Sequence, residues 1–390
     1  MSTFSPSGLS KSRLNKVYVS NELYVNTIKP YNTEFPITIQ GANITIDNIT
    51  ITASNIFIGV DSGASLVDGE HNVFIGTSTG ESVTSGNENV FIGYHTGMSV
   101  TTGNNNTFVG NLSGITTTTG DNNTFVGNEA GNLNTTGHSN VFIGNVSGSS
   151  NVDGYYNTMI GTSSGASNTE GVGNVFIGRN SGLNSTSASN NTFVGIDSGK
   201  EVTVTEGNSF FGGYSGTRNT SGQSNTFIGY SSGQFITTGS ANTYVGYQSG
   251  NDNTLSNFNT IVGALGGASI TTGSSNTLIG YNAAGTSSTT LTGCVCIGTN
   301  AGDTNVIDNR LMIHNQSTDT PLLDGTFNAL PAASSLTING TVTLGSTGTT
   351  PRHKIYTDGV VGVTPTPANV AGFIYVIINN TLVKMPYYPF

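Results

Sequence analysis

The chain has 390 residues, of which only 8% are charged, with 54 Gly, no Trp and a net charge of −10. Its stock of Asn, Thr, Ser, Val and Ile, with 18 Phe and 15 Tyr, is foreign to disordered chains and suits short strands joined by tight turns. Glycine does not recur every third residue, which excludes collagen. Between Asn55 and Gly302 stand 13 acidic side chains against three basic ones, Arg179, Lys200 and Arg218. So acidic a stretch repels nucleic acid and anionic membranes, and neither is expected as a partner.

Residues 1–54 form the first segment. They hold two alternating stretches, residues 16–28 and 37–53, around a loop bracketed by Pro30 and Pro36, and predict a small β-rich base. Met1–Leu14 lacks the apolar run of a secretory signal. No apolar stretch approaches the ~20 residues of a membrane span, so membrane insertion is not expected. The expected routes out of a cell are assembly into a particle, lysis or signal-independent export.

Residues 55–302 repeat. The pattern Asn-x-Phe-(Ile/Val)-Gly recurs with its glycine at Gly59, Gly76, Gly93 and onward to Gly280 in steps of 17, and once more at Gly298 after a step of 18. The extra residue falls near Ala283–Gly285. A fixed period of this size predicts a parallel β-solenoid or β-roll of about fifteen 17-residue coils. Asn stands four before the glycine in fourteen coils, from Asn55 to Asn276, with Cys294 in the fifteenth. Stacked in register, such amides form a ladder. A second Gly stands four after the first in thirteen coils, from Gly63 to Gly267, and again at Gly302.

Two before the repeat glycine stands Phe in ten coils: Phe57, Phe74, Phe91, Phe108, Phe125, Phe142, Phe176, Phe193, Phe210 and Phe227. Strand alternation puts Asn and Phe on one face, and the Val/Thr and Ile/Val positions on the other. Both faces are apolar, yet a thin coil has one inside. The spare face therefore predicts burial against sister chains, and the Phe rank is assigned to it, with Cys296 taking its place in the last coil. The expected assembly is a homotrimeric fibre with the shafts intertwined. Cys294 and Cys296 also fit two small buried residues ending the stack.

Residues 303–350 predict a β-rich connector with strand candidates RLMIH, SLTING and TVTLG. Residues 351–390 predict a C-terminal knob, whose string GFIYVIINNTLVKMPYY reads as a hairpin turning at Asn379–Asn380. The knob carries Arg352, His353, Lys354 and Lys384 beside Tyr356, Tyr375, Tyr387 and Tyr388. Basic and Tyr side chains together are the composition of a recognition surface, so this is the candidate receptor-binding tip; locking the trimer is the other role open to it.

The string NTFVGNLSGITTTTGDNNTFVGNEAG, Asn106–Gly131, resembles repeats of tail-fibre and adhesin-like proteins of phages, large DNA viruses and bacteria. It is also similar in design to the shorter SVAIG-type repeat of trimeric autotransporter adhesin heads. NRLMIHNQSTDTPLLDGTF, Asn309–Phe327, looks like the element that follows such repeats in tail-fibre-type proteins. Together these cover residues 55–327. The resemblance implies a structural fibre of a virion, of tail or capsid, exposed at the virion surface or outside cells. An attachment protein would meet its N-terminal end and a host receptor or glycan its C-terminal tip. A bacterial-type surface adhesin is the alternative, and the signal and membrane anchor of that family have no counterpart here.

No catalytic residue, metal site or cofactor is expected. The paired carboxylates of a glycan-cleaving enzyme are not laid out by the repeat, since Asp61, Glu81, Asp121, Asp153 and Asp252 fall at shifting positions. His71, His95 and His138 do not share a position either. A remote reading is an ice-binding solenoid, because Thr stands eight after the glycine in eleven of the first thirteen coils, with Val67 and Val152 in the others. The rank two residues earlier holds no regular Thr, and exchange of Thr with Val predicts a packed position.

Overall fold

The computed structural model describes residues 54–286, 289–303, 307–316, 321–327, 334–339, 372–378 and 381–387. The chain divides into two units, Met1–Thr52 and Ala53–Phe390. The first, with the alternating stretches expected at 16–28 and 37–53, lies outside the described residues.

The repeat region is an all-β solenoid. Fifteen three-residue strands, β1 (Ile56–Ile58) to β15 (Val295–Ile297), pair in chain order and in parallel. The register advances one coil at a time, with Phe57 beside Phe74 and Phe108 beside Phe125. Across the longer step Leu278 meets Cys296. The preceding coil pairs Ser269 with Gly285 and Thr271 with Thr289, so the extra residue sits between Gly285 and Thr289, slightly later than the sequence indicates. At ~4.8 Å per strand the fifteen coils stack over ~70 Å.

Each coil closes on itself through its Asn. The Asn72 side-chain amide donates to the Gly86 carbonyl of its own coil at 2.8 Å. Its backbone N–H and amide both donate to Asn55 Oδ1 of the coil before. The backbone donation repeats at Asn89, Asn106 and on to Asn276, and these side chains are buried. Cys294 ends the ladder, its N–H accepted by Asn276 Oδ1 at 3.0 Å.

The aromatic rank also lies inside. Nine of the ten Phe assigned to a seam between chains, Phe74 through Phe227, have 0% exposure in the single chain, and so does Cys296. Phe57, in the first coil, is 39% exposed. A ring without accessible surface cannot meet a sister chain, so the inter-chain assignment is corrected for these ten side chains. Phe57 stacks on Phe74 with centroids 5.1 Å apart and belongs to the same internal file. Neighbouring rings stack 4.7–4.9 Å apart from Phe74 to Phe142, are interrupted by Met159, and resume from Phe176 to Tyr244.

The physical reason for the inward facing is the second glycine. A Cβ at Gly80 would fall 2.8 Å from the Phe74 ring of the same coil, and the backbone there has φ +61°. Only glycine satisfies both demands. The ring fills the coil because the residue six positions on has no side chain.

The stack runs one strand beyond the glycine count. β16 (Arg310–Ile313) pairs in parallel with β15 and lays buried Met312 next to Cys296. Then the direction reverses: β17 (Leu323–Thr326) and β18 (Ser335–Ile338) add in antiparallel order. RLMIH and SLTING thus become strands, whereas TVTLG lies outside the described residues. The two C-terminal strands pair, β19 (Gly372–Ile378) antiparallel to β20 (Thr381–Tyr387), and the turn expected at Asn379–Asn380 lies outside the described residues. None of the described residues is helical, so among them no helix is long and apolar enough to cross a membrane.

Candidate functional site

With the Phe rank inside, the outer face of the strands belongs to the Val/Thr and Ile/Val ranks. The two positions flanking Phe carry Val, Ile, Thr, Ser or Phe in all fifteen coils and never a charge. Most are half-exposed, and the Ile/Val rank is the more open of the two: Phe211 is 41% and Ile228 42% exposed. The residue after the repeat glycine widens this face with Tyr94, Tyr230, Tyr247 and Tyr281, all exposed. In the middle coils that position is polar instead, and Asn111 donates to Asn128 Oδ1 at 2.8 Å.

The Thr rank eight after the glycine differs from expectation. It is outward and part-exposed rather than packed, and Val67 is exposed. Its hydroxyls donate to the carbonyl of the same rank one coil on, as from Thr101 to Thr118 O at 3.1 Å and from Thr237 to Thr254 O at 3.0 Å. They tie coil to coil.

One internal rank departs from the apolar pattern. Seven after the glycine, Val83 and Val100 give way to Thr117, Asn134, Asn151, Asn168 and Ser185, buried in five successive coils. Asn151 donates to Asn134 Oδ1 at 2.7 Å, but both amide atoms of Asn168 and the hydroxyl of Ser185 have no hydrogen-bond partner.

The turn side of the coils carries the acids and histidines. Asp121 Oδ1 accepts from the Asn104 N–H at 2.6 Å and extends a short ladder from Asn87. In the next two coils the same column holds His138 and Tyr155, stacked 4.8 Å apart. Tyr156 meets both edge-on, at 5.5 and 5.1 Å. His71 stands in the column of Tyr156 five coils earlier, and His95, on another column, stacks on Tyr94. Among the described residues no three His, Cys, Asp or Glu side chains group so as to hold a metal ion.

Burial pushes the Cys296 thiol up to about 12 and also raises Cys294. In the connector the Arg310 guanidinium grips Asp324, with Nε to Oδ1 at 2.7 Å, and holds its carboxyl below the ordinary value. A shallow recess of about 350 Å³ lies between Leu311, Phe327 and Leu336.

Of the expected tip, Arg352, His353, Lys354, Tyr356 and Tyr388 lie outside the described residues. Tyr375 and Lys384 are register partners on the hairpin, and Tyr387 pairs with Gly372. No protein-family model, curated protein or solved structure matches the chain.

The uncharged strand face is hidden in the sequence because its Val, Thr and Ile ranks are as apolar as the Phe rank they alternate with. The aromatic cluster had a signal that went unread: His138 and Tyr155 are 17 residues apart and occupy one column.

Proposed function

We propose that the chain is a structural fibre of a virion, of tail or capsid, that holds a C-terminal tip away from the particle for host attachment. The observation that carries this reading is the unbroken parallel stack from β1 to β15, with one closed core and no interruption of register. Such a stack is a spacer whose length is set by coil number. A rod of near-identical coils offers distance and stiffness, while the ends offer distinct chemistry. The N-terminal end would meet the particle, and the basic and Tyr residues of the C-terminal segment a host receptor or glycan.

Assembly as a homotrimer belongs to the same reading, with its interface moved. The seam is the uncharged outer strand face, not the Phe file. A stripe ~70 Å long and ~10 Å wide offers ~700 Å² per chain, close to the ~800 Å² per partner of a stable interface. A second copy has the same ~4.8 Å spacing of β-branched side chains, so the ranks of two chains can interdigitate along their length.

Light scattering on the purified chain tests the assembly. A mass three times 40.1 kDa supports it, and a mass only twice 40.1 kDa keeps the face but removes the three-fold. A stable monomer at micromolar concentration removes both. Ile143→Lys, on the outer rank, should dissociate the trimer, whereas Asp121→Ala on the turn side should leave it intact. Truncation after Thr347 tests the tip: a chain that still assembles but no longer competes for host-cell binding places recognition at the C-terminus. A monomeric chain that depresses the freezing point of water would favour ice binding by the outward Thr rank eight after the glycine.

A further inference from the structure

We infer that the turn side of coils five and six carries a binding site for a neutral oligosaccharide, built from His138, Tyr155 and Tyr156. Three observations carry it. The rings form one contiguous surface, with His138 stacked on Tyr155 and Tyr156 edge-on to both. The surface is open: Tyr155 is exposed and Tyr156 is 61% exposed. Finally, Tyr156 is held at φ +57°, a conformation that disfavours bulky side chains. The same position in other coils is mostly filled by Gly, Asn or Ser, as at Gly173, Gly207, Asn105, Asn122 and Ser139, and elsewhere by His71, Glu88, Ala241 and Phe258. Tyr156 differs from Phe258, which is 67% exposed at the same position, in having the rings of His138 and Tyr155 against it.

The chemistry selects the ligand class. A pyranose presents a C–H face that packs on an aromatic ring and hydroxyls that need donors and acceptors beside it. The column supplies both, since Asp121 precedes His138 in the adjoining coil, Ser139 Oγ lies 3.4 Å from His138 Nδ1, and the two tyrosines carry hydroxyls. Asp121 and Asp153 bias the site against anionic chains, and the repeat region's basic residues begin only at Arg179. Sialylated or sulfated glycans and nucleic acids are therefore poor fits. The adjoining coils carry no rings in these columns, which suits a few sugar units better than an extended protein face.

This goes beyond recognition at the tip, because it requires neither the tip nor the assembly. Saturation-transfer NMR and calorimetry on the full chain would be run with maltohexaose, cellohexaose, mannohexaose, chitohexaose and lacto-N-tetraose. At least one should bind at millimolar concentration or tighter and receive saturation at its ring C–H protons. Tyr156→Gly should weaken that probe by about tenfold or more while leaving the melting temperature unchanged or raised, since glycine relieves the backbone. Tyr247→Gly, on the strand side, should leave binding intact. The inference is overturned if none of the five binds, or if binding persists within twofold in Tyr156→Gly. A cluster that only braces the coils would lower the melting temperature of Tyr156→Gly with no sugar signal in the parent chain.

Discussion

Replacing Asn106 with Ala tests whether the amide ladder holds the coils together. Asn106 Oδ1 accepts the Asn123 N–H at 2.9 Å, and its amide donates to the Gly120 carbonyl at 2.8 Å. Both partners lie inside the stack, where water cannot replace the lost group. Two stranded buried groups at ~1–3 kcal/mol each put the loss at roughly 2–6 kcal/mol. Asn123→Ala should cost less. Its carbonyl partner, Gly137 O, also accepts from Asn134 at 3.1 Å, so one stranded group remains, the Asn140 N–H, worth ~1–3 kcal/mol. Asn128→Ala, on the outer surface, should stay within ~0.5 kcal/mol. The assay is equilibrium unfolding in guanidinium followed by circular dichroism and fitted with a nearest-neighbour model, because a weakened coil can split a solenoid's transition in two. If Asn106→Ala and Asn128→Ala cost the same, the ladder is ornament and the ordering argument fails.

Four further outcomes are expected. Asn168→Leu should raise stability by about 1–3 kcal/mol, since it removes two buried amide atoms with no partner; destabilisation in a thermal melt would show that this amide is bonded in solution. Deleting residues 111–127 removes one coil and should preserve folding, whereas deleting 16 residues reverses every later side chain; dichroism of the two variants decides. Neither cysteine should react with a thiol reagent at pH 8 until the chain unfolds, because burial holds Cys296 near 12; rapid labelling of the native chain would contradict its placement. Asp324 has a lowered folded pKa, so its pairing with Arg310 stabilises the connector above the ordinary carboxylate range of ~3.9. That contribution is lost as the pH falls through the folded value. The pair is partly exposed, so the effect should be small, and protection across β16 and β17, corrected for intrinsic exchange, that falls only above neutral pH would refute it.

The period, the parallel order and the alternation of faces were all legible in the sequence, because each depends on spacing alone. Which face is inside was not, since Phe on one side and Ile or Val on the other are equally apolar. A resolving clue was present: the Phe and the glycine six residues on recur together, and a missing Cβ beside a ring marks an interior. β17 was missed for another reason. Leu323–Thr326 reads Leu-Asp-Gly-Thr, a turn by its residues, and it becomes a strand through pairing with β16 and the grip of Arg310 on Asp324. The candidate tip was read from composition, and composition fixes no geometry.

The hydrogen bonds that join coil to coil, such as Gly76 N–H to Ile58 O at 2.7 Å and Gly93 N–H to Ile75 O at 2.8 Å, point along the stack. Tension applied along the stack pulls on each inter-coil layer directly, and the layers bear the load in series rather than sharing it. The weakest layer then opens first and frees a single coil. With 17 residues per coil and ~3.3–3.6 Å per extended residue, each opening adds ~50–60 Å of slack. Under a sustained pull the rod would behave as a stepwise damper, lengthening by uniform increments while the remaining coils stay closed.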